Sequence, residues 1–99
     1  MFNDIDFFPG VILYDSNLSL DNNVENQVDL LKEDLFQVEY KGRYIIDVGW
    51  YPEFDKDGSF KILVVKNYDW TTYLYEKTCS DGYTLNKYMR ECIALIQAV

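Results

Sequence analysis

The side chains with the means to do chemistry in this 99-residue chain are mostly carboxylates: seventeen Asp and Glu against nine Lys and Arg, with two Cys and no His. Without an imidazole there is no side chain that titrates near neutrality unaided, no Ser-His or Cys-His nucleophile pair and no imidazole metal ligand. Cys79 and Cys92 are too few for a zinc site, and the glycines form no phosphate-cradling cluster. Paired carboxylates can act on glycosides, but acids are so abundant here that any one pair is unspecific. Glu53-Phe54-Asp55-Lys56-Asp57-Gly58 begins like a calcium loop, with oxygens at alternate positions before a glycine. Where that loop needs a bidentate Glu, this chain has Val64, so the stretch reads as a β-turn. The sequence predicts a protein that is not an enzyme and takes neither cofactor nor metal.

The carboxylates can still attract cations. Net charge is −8, and all of it falls in residues 1–40, where Asp4, Asp6, Asp15, Asp21, Glu25, Asp29, Glu33, Asp34 and Glu39 face only Lys32. Residues 41–99 balance. Such asymmetry speeds encounter with a basic partner, and it disfavours nucleic acid, whose phosphates need Lys and Arg. Asp21, Glu25, Asp29 and Glu33 recur every fourth residue, which on a helix makes a negative ridge. Like charges at that spacing repel by a few tenths of a kcal/mol per pair, about what a cationic partner would relieve. Trp50, Tyr51, Tyr68, Trp70, Tyr73 and Tyr75 gather in the strands and their turns as a second possible binding surface, because Tyr and Trp are enriched as interface anchors; Trp50, Tyr68 and Trp70, with Asp69 between the last two, are the candidate contacts. The expected partner-binding set is Asp21, Glu25, Asp29, Glu33, Trp50, Tyr68, Asp69 and Trp70.

Elements that could position these residues follow from periodicity. Residues 1–20 read as extended chain or a short edge strand around Pro9-Gly10, the least defined part of the chain. Val24, Val28, Leu31 and Leu35 give the stripe of an amphipathic helix over 22–34, capped by Asn22 with Glu25. Residues 36–77 alternate with a period of two and break at Lys41-Gly42, Asp55-Lys56-Asp57-Gly58 and Asn67-Tyr68-Asp69, giving four antiparallel strands. The third, Ser59 to Lys66, is apolar on both faces at its centre, so both should be covered. Leu85, Met89, Cys92, Ile96 and Val99 mark a second amphipathic helix over 81–97, capped from Ser80, Asp81 or Thr84. The expected fold is one α+β domain, residues 1–99: a four-stranded antiparallel meander with one helix before it and one after.

The run Tyr44-Ile45-Ile46-Asp47-Val48-Gly49-Trp50-Tyr51-Pro52, the Asp57-Gly58-Ser59-Phe60 turn and the Asp69-Trp70 turn resemble small acidic immunity proteins of bacterial polymorphic-toxin and contact-dependent growth inhibition systems, over roughly residues 35–97. The resemblance implies a cytosolic antidote that binds the toxin domain of a cognate effector, often a nuclease, and blocks its active site or substrate access. It assigns no residue, because each such protein has its own interface. Together with the charge, it predicts an inhibitor of a basic toxin domain, an RNase ahead of a DNase. Two other classes fit the composition: an acidic nucleic-acid mimic and a general protein-interaction adaptor. The chain is expected to be cytoplasmic and monomeric, with free thiols and no membrane partner; no apolar run approaches the roughly 20 residues of a membrane span. An edge strand in so small a sheet would nonetheless offer a second copy a place to pair.

Overall fold

The computed structural model describes residues 1–99 as five strands and one long helix: β1 (Val11–Asp15), β2 (Phe36–Tyr40), β3 (Tyr44–Tyr51), β4 (Ser59–Lys66), β5 (Tyr75–Cys79) and α1 (Gly82–Gln97). The strands lie in the sheet in sequence order, each antiparallel to the next. The alternation seen in the sequence becomes two faces. On one, Ile46 lies between Val38 and Val64, and Val48 between Phe36 and Ile62. On the other, Gln37, Asp47, Leu63 and Glu76 form one cross-strand row, and Glu39, Ile45 and Val65 another.

The first face carries the core. Leu85, Met89, Cys92 and Ile96 of α1 are fully buried against it, each large side chain worth about 1.5–3 kcal/mol relative to exposure. Asp81 caps the helix, accepting from the Thr84 backbone N–H at 3.3 Å. At the other end, Lys41 Nζ donates to the Ile96 and Val99 carbonyls at 3.0 and 2.8 Å, placing a cation where the helix dipole is negative. Residues 1–8, the least defined in the sequence, complete this layer beside α1. Phe2 and Phe7 pack on Phe36 with ring centroids 5.0 and 5.2 Å away, while Asp4 meets Arg90 and Asn86 of the helix. Burying Phe2 and Phe7 is what orders this end of the chain.

Two expectations are corrected. The sheet has five strands, because Val11–Asp15 pairs with β2, with a bulge at Leu13. Val11, Ile12, Leu13 and Tyr14 are all exposed on this edge, so neither face of β1 alternates and the strand lacks the usual signature. The predicted helix over 22–34 is absent. Val24–Leu30 forms 3₁₀ turns interrupted at Gln27, between β1 and β2 and not ahead of the sheet. Gln27 grips the Ser19 backbone from both sides, its Oε1 accepting from the Ser19 N–H and its Nε2 donating to the Ser19 carbonyl, both at 2.9 Å. The cap falls on Asn23, whose Oδ1 takes the Glu25 N–H at 2.9 Å. Leu31 and Leu35 are buried in non-helical chain, where residues 31–35 run beside β3 through the bonds Trp50 N–H to Lys32 O and Leu35 N–H to Val48 O.

Both cysteines are free thiols, Cys79 half-buried and Cys92 buried. Burial pushes their pKa values up to about 11 and about 12, which keeps both protonated and unreactive. No helix is long and apolar enough to cross a membrane.

Candidate partner-binding face

The face of the sheet away from α1 is built by two chain crossings. The β4–β5 connection, residues 67–74, turns through two left-handed residues, Asn67 at φ 56° and Tyr68 at φ 60°. It then folds back over the sheet. The Tyr68 hydroxyl reaches across β3 to donate to Glu39 Oε2 on β2. Ile45, Leu63 and Val65 are buried on this face, so the prediction of cover on both sides of β4 holds. Within the loop Asp69 accepts from the Thr71 hydroxyl and from the Thr71 N–H, the latter at 3.0 Å, and these bonds hold its carboxyl below the usual range. Tyr68, Trp70, Tyr73 and Leu74 remain exposed.

The second crossing depends on Gly49. Its missing Cβ would lie 2.1 Å from the Glu33 carbonyl oxygen, so the chain at Glu33 passes over β3 where only glycine admits it. Glu33 and Asp34 are thereby delivered near Tyr51, and Asp34 near Asp47. The negative charges of Asp47, Glu33 and Asp34 all act on the Tyr51 phenol, as does Tyr73; together with burial, the leading cause, they raise its pKa. Lys32, Asp34 and Gln37 line an adjoining groove of about 490 Å³ with Tyr14 and Glu53. Glu53 also accepts from the Glu33 N–H at 3.1 Å, pinning the crossing to the β3–β4 turn.

Asp47 is the only buried charged residue, 8% exposed in the middle of β3. Gln37 Nε2 donates to its Oδ1 at 2.7 Å; Oδ2 receives no donor from the chain and is not sealed from solvent. Burial raises the Asp47 pKa, the Gln37 bond opposes this, and the nearby Asp34 charge adds to it. A folded-state value above the ordinary 3.8 means that the native state holds a proton the unfolded chain has released. The Asp47 contribution to stability is therefore complete below that value and is lost as pH rises through the raised one. Asp4, Asp69 and Glu91 have lowered values and act oppositely, losing their contributions only as pH falls below the ordinary carboxylate range. Stability in urea is expected to rise as pH falls from neutrality through the raised Asp47 value and to drop again once the lowered carboxylates Asp4, Asp69 and Glu91 take up protons, with Asp47→Asn flattening the rise. Parallel profiles for the two proteins would show that general charge repulsion sets the rise.

The structure disperses the sequence-predicted set. Glu33, Tyr68, Asp69 and Trp70 belong to the outer-face crossings. Asp21 lies in a separate cleft with Tyr83, Asn86 and Lys87 of α1, while Glu25 and Asp29 ride the exposed 3₁₀ turns. A 3₁₀ turn has three residues, so a spacing of four does not stack and the continuous ridge does not form. Trp50 is corrected outright: it is 0% exposed, edge-on to Phe60 at 4.8 Å, with Nε1 donating to the Asp55 carbonyl at 2.7 Å. Asp34 and Asp47 were missed, while Tyr51 and Tyr73 belong to the aromatic group the sequence offered but lay outside the expected set. An Asp inside a strand otherwise apolar on both faces was the available signal for Asp47, since Asp is depleted in strands.

These elements define an α+β protein whose five-stranded antiparallel sheet has one helical face and one acidic, tyrosine-rich face. Comparison with protein-family models, with curated proteins and with solved structures found no match.

Proposed function

We propose that the protein is a non-catalytic immunity protein that binds and neutralises a cognate basic toxin domain, a nuclease and more specifically an RNase, in the cytosol. One observation carries this reading: only four of the seventeen acids, Asp4, Asp15, Glu76 and Glu91, have a cationic partner within the chain. The negative excess is thus held unneutralised on the folded surface, where self-repulsion costs stability that a basic partner restores. Glu33, Asp34 and Asp47 concentrate it beside aromatic surface on the outer face. Charge of this kind raises association rate, while Tyr and Trp contacts at the centre slow dissociation. The broken acidic row on the 3₁₀ turns lacks the regular spacing that a mimic of a phosphate backbone needs.

Affinity capture of the tagged protein from its own cells, washed at low and then high salt, tests the reading. One stoichiometric basic protein surviving high salt, whose nuclease activity this protein abolishes, is the expected result; a mixture of basic proteins released together by salt would overturn it. With that partner in hand, Glu33→Gln combined with Asp34→Asn should slow association about tenfold at low salt and flatten the salt dependence. Neutralising Asp21, Glu25 and Asp29 together should do less. The reverse ranking would move the interface to the 3₁₀ turns.

A further inference from the structure

We infer that the outer face around Asp47, which we call the basin, is an arginine receptor: an arginine side chain of the partner lies beside Tyr51 and Tyr73 and places its guanidinium on Asp47 Oδ2, with Asp34 flanking it. The inference rests on reading the protein as a binder of a basic partner, and it names the chemical group recognised. Three observations lead to it. Asp47 is 8% exposed and gives one oxygen to Gln37, leaving Oδ2 free of any donor from the chain and reachable from outside, at the mouth of a largely desolvated site. No cation of this chain supplies it. Lys61 is held at 3.2 Å by Glu76, with Nζ 5.6 Å from the Tyr51 ring centroid, and Lys32 lines the adjoining groove without forming an ion pair. Finally, a close approach that Gly49 alone permits brings Asp34 near Asp47 and both Glu33 and Asp34 near Tyr51, so the concentration of charge is built into the fold.

Arginine fits this setting better than lysine. A guanidinium is planar, delocalised and weakly hydrated; it spans two acceptors and lies flat against aromatic rings. An ammonium gives up a tighter hydration shell and gains no planar contact from the tyrosines. The arrangement matches an interface hot spot, where a desolvated charge pair sits within aromatic surface.

The test needs no toxin. N-acetyl-arginine amide and N-acetyl-lysine amide are titrated into the full-length protein while NMR follows the Asp47 side-chain carboxyl carbon and the Gln37 side-chain amide. Saturable shifts of both signals with the arginine compound are expected, with the lysine compound about tenfold weaker, the loss of one bidentate charge-assisted contact. Asp47→Asn, which keeps an oxygen to accept from Gln37, should abolish the localised response. Equal responses to the two compounds, or shifts spread over Asp21, Glu25 and Asp29, would overturn the inference. Because the wild-type comparison stands by itself, the result does not depend on the variant folding. Capture of a basic toxin without an arginine preference here would sink this inference alone, whereas arginine binding without any captured toxin would sink the functional reading and leave the receptor standing.

Discussion

Gly49→Ala is expected to lose about 3 kcal/mol or more of stability, roughly 12 °C or more in Tm for a domain of this size. Its Cβ would lie 2.1 Å from the Glu33 carbonyl oxygen and 2.9 Å from the carbonyl carbon, and these are backbone atoms with nowhere to swing. Either β3 or the 31–35 segment must move. Moving the segment strains the bonds from Trp50 N–H to Lys32 O and from Leu35 N–H to Val48 O, the second at 3.0 Å. It also draws Glu33 and Asp34 away from Tyr51, so spectrophotometric titration of the variant should find a tyrosine pKa returned toward its ordinary value. Gly42→Ala is the control. Gly42 has φ +66° but open space around its Cβ position, so only the left-handed backbone penalty of about 1 kcal/mol applies. Equal losses at the two glycines would mean that the crossing yields without cost.

Trp50→Ala should cost about 3–5 kcal/mol, a large part of the roughly 5–15 kcal/mol that holds such domains together. The substitution empties the space against Phe60 and leaves the Asp55 carbonyl with only the Gly58 N–H as donor, loosening the turn from which Glu53 holds the crossing at Glu33. Trp50→Phe retains the ring contact and gives up the hydrogen bond, for about 1–2 kcal/mol. Trp70→Ala should leave Tm nearly unchanged, because its side chain stands in the exposed loop. Binding should follow the opposite order: the folded Trp50→Phe protein retains affinity for the basic partner, whereas Trp70→Ala loses it. A partner that tolerates Trp70→Ala but not Trp50→Phe would return the anchor role to the position the sequence suggested.

The tryptophan pair shows what the residue order makes legible. Strands β2 to β4 follow from strict alternation between turns, and α1 from a four-three-four spacing with an acid ahead to cap it, because both signals are local. The spacing of Val24, Val28, Leu31 and Leu35 imitates a helix equally well. What defeats it is the grip of Gln27 on Ser19, eight residues away, and the demand of β3 for an extended neighbour at 31–35. Trp50 and Trp70 differ in fate because one alternates inward with Val48 while the other follows a pair of left-handed residues, and composition does not separate them. The outer-face basin lay furthest from view. Asp47 could be placed on that face from alternation, but Glu33 and Asp34 join it only because the backbone meets a glycine sixteen and fifteen residues further on.

The order of the strands has a consequence for how the molecule comes into being. Each strand pairs with the next one synthesised, so β2 to β5 can assemble hairpin by hairpin through short connections, and only β1 must wait for the long 16–35 stretch to close. The helical layer is different. Asp4 and Arg90 meet across 86 positions, and α1, made after every strand, supplies the side chains that seal the apolar face. A nascent sheet lacking α1 exposes Ile46, Val48, Ile62 and Val64 to water. All the basin residues are translated before the helix, but the sheet that holds them is stable only once the helix docks. The outer face is therefore fixed in place only at the end of folding, in a single step, when residues 1–8 and α1 come together on the opposite side of the sheet.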